Sequence, residues 1–90
     1  MVGNLAESLA GHDKNQIYII IREDSEYVYL CDGKLKKLEN PKRKNKKHIQ
    51  IIKKGTDLAL AEKLVDGSPI RDEEIKRTIK LYELKNSKQI

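Results

Sequence analysis

The pattern of apolar residues changes near Gly55, and this change limits the folds open to the chain. Before Gly55, short runs rich in β-branched residues are separated by turn residues, which is typical of strands. Residues 16–22 (Gln-Ile-Tyr-Ile-Ile-Ile-Arg) are too few for an isolated helix and predict a buried strand. After Gly55, apolar residues recur at helical spacing. The sequence therefore predicts a mainly β fold with a C-terminal α-helical extension.

Two further strands are predicted in the first part. Tyr27–Cys31 alternates aromatic and aliphatic side chains and is followed by Asp32-Gly33, with a new segment starting at Lys34. Asp-Gly between two strand-like runs predicts a type I′ hairpin, because both central residues of that turn need positive φ. Residues 46–52 predict the next strand, with Ile49 and Ile51 on one side and Ile52 on the other.

Two helices are predicted after Gly55. Ala59–Leu64 fits one or two turns that Asp66-Gly67 would close. Ser68 is a favoured N-cap and Pro69 suits the first helical position, so the second helix is expected over residues 70–85.

The second helix carries an apolar stripe. Ile75, Ile79 and Tyr82 share one side, and Lys85 and Lys88 supply the positive charge that a helix C-terminus favours. Such a stripe needs a surface to cover it. The sequence leaves open whether that surface is the chain's own sheet, a protein partner or a second copy of the chain.

Positive charge is concentrated in residues 34–54. This segment has ten lysines and arginines against one acid, a net charge of +9, whereas the whole chain carries +5. A local excess of this size indicates an anion-binding surface, with phosphate as the first candidate. We expect a basic loop over residues 40–50, flanked by two strands. The predicted phosphate contacts are Lys42, Arg43, Lys44, Lys46 and Lys47, with Lys34, Lys36 and Lys37 on the neighbouring hairpin.

The residue types for catalysis or metal binding are scarce. The chain has one cysteine, Cys31, and two histidines, His12 and His48, and it contains no glycine-rich phosphate loop. The acidic clusters at residues 23–26 and 72–74 are explained by turn and helix-start chemistry. We therefore expect no enzyme activity, no cofactor, no metal and no small-molecule substrate, and we expect Cys31 to be buried and inert.

The chain contains no run of about 18 apolar residues and no signal-peptide pattern. We expect a cytoplasmic protein that does not contact membranes.

The first part of the chain resembles a known family. Residues 8–14 (Ser-Leu-Ala-Gly-His-Asp-Lys), the Ile-rich strand, the Asp-Gly pair and residues 41–50 (Pro-Lys-Arg-Lys-Asn-Lys-Lys-His-Ile-Gln) follow the order of a KOW motif domain. Over residues 1–54 the chain resembles KOW-domain RNA-binding proteins and is similar to the large-subunit ribosomal protein fourteen-e family. Gly11 stands where that family has a turn glycine after the first strand.

The resemblance implies a small SH3-like barrel of about five strands over residues 1–54, with a helical extension over residues 55–90. It also favours a strand for Val2–Ala10, which periodicity alone leaves between helix and strand. It implies that His12 and Lys14, in the loop after the first strand, approach RNA. His12 could stack on a base or serve only as a turn residue.

The expected function is non-enzymatic RNA binding in translation, with ribosomal RNA as one candidate ligand. The alternative is a protein-interaction adaptor that uses the C-terminal helix and the basic loop. We expect His48 to make a structural hydrogen bond. Tyr18, Tyr27 and Tyr29 are expected in the core and at its rim, with at most one stacking on a base.

Overall fold

The computed structural model describes residues 1–87, which form one five-stranded sheet, a short 3₁₀ helix and two α-helices. The mainly β fold with a helical C-terminal extension is confirmed, and Lys88 lies outside the described residues. Neither α-helix in the described part is long and apolar enough to cross a membrane. The elements are β1 (Leu5–Ser8), β2 (Ile17–Glu23), β3 (Tyr27–Cys31), β4 (Lys42–Asn45), the 3₁₀ helix (Lys46–His48), β5 (Ile49–Ile52), α1 (Leu58–Asp66) and α2 (Asp72–Ser87).

The five strands are antiparallel and lie in the order β4-β3-β2-β1-β5. A flat sheet of this order would hold β4 and β5 about 19 Å apart, at ~4.8 Å per strand. The 3₁₀ helix that joins them spans only about 8 Å at ~2 Å per residue. The sheet must therefore curl until its edges approach each other. Within residues 1–87, the edge strands β4 and β5 are not hydrogen-bonded to each other, so the sheet does not close into a complete barrel.

Alternation of side chains along the curled sheet creates two apolar cores. The inner core contains only strand residues, so the curled sheet itself must cover it. Its buried members are Ala6, Tyr18, Ile20, Val28, Leu30 and Ile49. The outer core lies between the other face of the sheet and the two helices. Its buried members are Leu5, Ile19, Cys31, Leu60, Ile75 and Ile79.

The apolar stripe of α2 packs against the chain's own sheet. Ile75 is 0% exposed and Ile79 is 7% exposed, and Tyr82 packs against the same outer core. The strands and helices thus share the outer core, and removal of the helices would expose Leu5 and Ile19.

The predicted type I′ hairpin at Asp32-Gly33 is wrong. Gly33 has φ of 79°, but Asp32 is not among the described residues with positive φ. The Asp32 carboxylate instead accepts hydrogen bonds from the backbone N–H groups of Lys34 and Lys36, both at 2.9 Å. This folds residues 32–41 into a loop. The loop is fixed to α2, because a Cβ added at Gly33 would collide with the carbonyl oxygen of Asp72.

The segment predicted as a basic loop is mostly regular structure. Residues 42–45 form the edge strand β4, and residues 46–48 form the 3₁₀ helix, so the strand predicted over 46–52 begins only at Ile49. Asn45 caps the 3₁₀ helix by accepting from the Lys47 N–H. Ile49 and Ile51 face the inner core and Ile52 the outer core, as their alternation predicted.

The start of the second helix was also predicted wrongly. Ser68 does not cap α2: its hydroxyl donates to the Asp66 carboxylate, and its N–H donates to the Lys63 carbonyl in the last turn of α1. The helix begins at Asp72. The first helix is closed by Gly67 in a left-handed conformation, as predicted.

Candidate nucleic-acid interface

Asp13, in the loop between β1 and β2, organises a buried polar cluster. Its Oδ1 accepts hydrogen bonds from Ser8 Oγ at 2.8 Å and from Lys44 Nζ at 2.6 Å. Its Oδ2 accepts from Tyr18 OH at 3.0 Å and contacts Lys42 Nζ at 3.0 Å. The side chains of Lys44 and Asp13 are only 9% and 10% exposed. This ion pair is therefore part of the interior and not a surface contact.

The cluster fixes the protonation states of Asp13 and Tyr18. Burial alone would raise the pKa of Asp13, but hydrogen bonds from Lys44, Lys42, Ser8 and Tyr18 outweigh it and hold that pKa well below its usual range. Burial and the adjacent Asp13 carboxylate raise the pKa of Tyr18. At neutral pH, Asp13 is therefore charged and Tyr18 is a protonated donor.

The register of β4 explains why its lysines meet Asp13. Lys42 lies opposite Leu30 and Lys44 lies opposite Val28, and directly opposed residues point to the same face. Both lysines thus point toward the inner side of the sheet. The loop that carries Asp13 lies over this side and supplies the charge that they need.

Of the five cations predicted as one phosphate-binding group, three form ion pairs within the chain and two are exposed. The Lys44 side chain is held in the Asp13 cluster and is only 9% exposed, which leaves it little access to a phosphate group. Lys42 and Lys46 are paired with Asp13 and Glu23, both at 3.0 Å, and their side chains stay 31% and 27% exposed. Arg43 and Lys47 are exposed.

The remaining predicted residues fall in two loops. His12 and Lys14 are exposed in the β1–β2 loop, which Asp13 holds against β4. His48 is also exposed, and its backbone carbonyl accepts from the Leu9 N–H at 2.8 Å. Lys34, Lys36 and Lys37 lie in the loop of residues 32–41 and not on a hairpin strand.

An arrangement that the sequence did not reveal brings Arg43 together with Arg22, Tyr27 and Tyr29 on the outer face of β2, β3 and β4. The Arg22 Cζ lies 4.2 Å from the centroid of the Tyr29 ring, and the Arg43 Cζ lies 4.5 Å from the centroid of the Tyr27 ring. Tyr29 faces Arg22 on one neighbouring strand and Arg43 on the other. We call these four residues the Arg–Tyr face.

A β-bulge creates this arrangement. Strict alternation would place Arg22 on the same side as Ile20, which is buried in the inner core. The register between β2 and β3 shifts between Ile20 and Arg22, and Arg22 thereby pairs with Tyr29. The bulge re-aims the arginine from the inner side to the outer face. Nothing in the local sequence marks it.

Cys31 is fully buried, as predicted, and burial raises the pKa of its thiol to about 12. Nearby Asp72 and Asp32 act in the same direction. Such a thiol is not a nucleophile at neutral pH. Among residues 1–87, no group of three or more His, Cys, Asp or Glu side chains is placed to hold a metal ion.

Comparison with protein-family models and with curated proteins finds no match for this chain.

Proposed function

We propose that this protein is a non-enzymatic RNA-binding protein of the KOW type that acts in translation in the cytoplasm, with ribosomal RNA as one candidate ligand. The KOW resemblance implies an SH3-like barrel. In such a barrel the sheet curls until its two edge strands lie near each other. The five-stranded sheet of this protein is compatible with this, because only the three residues of the 3₁₀ helix join its edge strands β4 and β5.

The observation that carries the proposal is the excess of positive charge at one edge of the sheet. The β1–β2 loop, β4 and the 3₁₀ helix together carry six lysines and arginines. Asp13 and Glu23 offset two of these charges by pairing, and Glu26, which lines a cleft with Lys46 and Lys47, offsets a third, which leaves a net charge of +3. A surface with this excess attracts a polyanion. The cations of this edge are Lys14, Lys42, Arg43, Lys44, Lys46 and Lys47.

The ion pairs give this edge a fixed shape. Asp13 neutralises part of the positive charge, but its loop, which carries Lys14, is thereby held beside β4. The residues offered to phosphate are then the exposed Lys14, Arg43 and Lys47, with Lys42 in part. About four phosphate contacts imply that the logarithm of the affinity falls with the logarithm of salt concentration with a slope near −3.

The adaptor alternative, and a homodimer through α2, depended on an unpartnered stripe at Ile75 and Ile79. Both residues are buried against the sheet of the same chain. That stripe is therefore not offered to a partner, and the RNA hypothesis is the one we retain.

A charge-reversal experiment tests the proposal. Affinity for a labelled RNA stem-loop is measured by fluorescence anisotropy across a salt series, for the wild type and for Arg43→Glu/Lys47→Glu. The control is Arg77→Glu/Lys80→Glu, which makes the same change of charge at exposed positions of α2. We expect the first variant to lose at least about tenfold in affinity and to show a shallower salt slope, since two contacts are removed. We expect the control to stay within about threefold.

Two outcomes would contradict the proposal. The wild type could fail to bind the stem-loop even at low salt, or the two variants could lose affinity equally, which would indicate only a response to net charge. Co-sedimentation with ribosomal subunits then tests the association with translation.

A further inference from the structure

We propose that Arg43, stacked on Tyr27, is the platform on which one unpaired base of the bound RNA stacks, so that the protein recognises a single-stranded segment. This inference rests on the proposed function and goes beyond phosphate binding. It names the part of the RNA that is contacted and the pair of side chains that contacts it.

The geometry of the pair suits this role. The Arg43 Cζ lies 4.5 Å from the centroid of the Tyr27 ring, while the arginine side chain as a whole is exposed. When one face of a guanidinium group packs on an aromatic ring, its opposite face is not covered by that ring and can accept a base. RNA-binding proteins use aromatic rings and guanidinium planes to stack unpaired bases. Contact with the tyrosine ring restricts the exposed arginine side chain, which reduces the loss of side-chain entropy on binding.

The position of the pair favours it over the neighbouring Arg22–Tyr29 pair. Arg43 lies on the edge strand between Lys42 and Lys44, whereas Arg22 lies two strands further into the sheet. The Asp24 carboxylate accepts from the Tyr29 hydroxyl at 3.2 Å, at the tip of that ring, whereas at Tyr27 it accepts only from the backbone N–H, at 2.8 Å. A phosphate group would be repelled there.

The surroundings of Tyr27 leave room for the RNA backbone. Tyr27 pairs with Asn45 across β3 and β4. At this end of the strand pair lies a cleft of about 300 Å³, which Ser25, Glu26, Asn45, Lys46 and Lys47 line. Glu26 is the one carboxylate among these lining residues, and two lysines accompany it. We expect a strand whose base lies on Arg43 to place a neighbouring phosphate at this cleft, beside the exposed Lys47.

The test separates stacking from charge. Arg43→Lys keeps the positive charge but removes the flat guanidinium group. Its affinity is measured by fluorescence anisotropy for a single-stranded 12-nucleotide adenosine RNA and for a strand of the same length whose bases have been removed. Arg77→Lys, at an exposed position of α2, is the matched control. Circular dichroism and urea midpoints verify that all variants are folded.

We expect Arg43→Lys to bind the adenosine strand about tenfold more weakly than the wild type, within the range for one stacked base. We expect it to bind the abasic strand as the wild type does, with the same salt slope for both. Arg77→Lys should match the wild type on both strands.

The inference is overturned if Arg43→Lys changes the affinity for the two strands by the same factor, or leaves both unchanged. Binding by phosphate contacts alone would then stand, and the proposed function would survive. If the wild type binds neither strand nor a stem-loop at low salt, the proposed function fails as well.

Discussion

Replacing Asp13 with asparagine should destabilise the fold strongly and in a pH-dependent way. The carboxylate is 10% exposed and accepts from four side chains, one of which is the 9% exposed Lys44. Removing one partner of a buried ion pair leaves the other charge uncompensated and costs roughly 3–5 kcal/mol. Lys44 keeps its hydrogen bond to the Ala10 carbonyl at 2.8 Å, so we expect a loss near the lower end, about 3 kcal/mol at pH 7.

The pH dependence follows from the lowered pKa. In the folded chain the pKa of Asp13 lies below its ordinary value of 3.8, so the unfolded chain binds the proton more tightly. The carboxylate therefore contributes its full stability above about pH 5, and this contribution is lost as the pH falls through and below 3.8. The difference between the wild type and Asp13→Asn should be largest at pH 7 and should shrink at pH 3.

Urea unfolding followed by circular dichroism measures both effects. For a slope of about 1.5 kcal/mol per molar urea, the expected loss lowers the midpoint by about 2 M at pH 7. Asp57→Asn is the matched control, because Asp57 caps α1 through the Leu60 N–H and asparagine caps helices equally well. A midpoint of Asp13→Asn equal to that of the wild type, or a loss that is the same at pH 3 and pH 7, would refute the reasoning.

Two further changes probe the packing. Gly33 and Gly67 have similar φ of 79° and 77°, but a Cβ at Gly33 would meet the Asp72 backbone while one at Gly67 has open space. Gly33→Ala should therefore lower the thermal midpoint much more than Gly67→Ala does. At Gly67 only the backbone strain of about 1 kcal/mol applies. Equal shifts of the two midpoints would argue against the docking of the residue 32–41 loop on α2. Because the pKa of the buried Cys31 thiol is about 12, its reaction with a disulfide reagent at pH 8 should be slow in the native protein and should accelerate with unfolding in urea. Rapid reaction of the native protein would mean that the outer core opens readily.

The sequence predicted the elements whose signals are local. The β-branched run of β2, the alternation of β3 and the closure of α1 at Gly67 are all properties of a few neighbouring residues. The Asp32-Gly33 turn could not be predicted in the same way, because the Asp32 side chain can also accept from the Lys34 and Lys36 N–H groups, and the loop that results is fixed to α2. The Leu38 N–H donates to Asp72, a residue 34 positions away.

The candidate site was predictable as a charge excess but not as an arrangement. Counting cations identified a basic segment that the structure places at one edge of the sheet, yet it could not show that Asp13 and Glu23 bind three of these cations. Those pairs depend on how the sheet curls and on which face each lysine occupies. The Arg–Tyr face depends on a bulge between Ile20 and Arg22, and a bulge adds a residue without a local sequence signal.

The outermost position of β4 has a consequence for self-association. An outer strand exposes unpaired backbone groups that can recruit another chain, and natural proteins prevent this with short, lysine-rich outer strands. The four residues of β4 are Lys-Arg-Lys-Asn. The same cations that we propose to attract RNA would therefore repel a second copy of β4 and oppose intermolecular sheet growth.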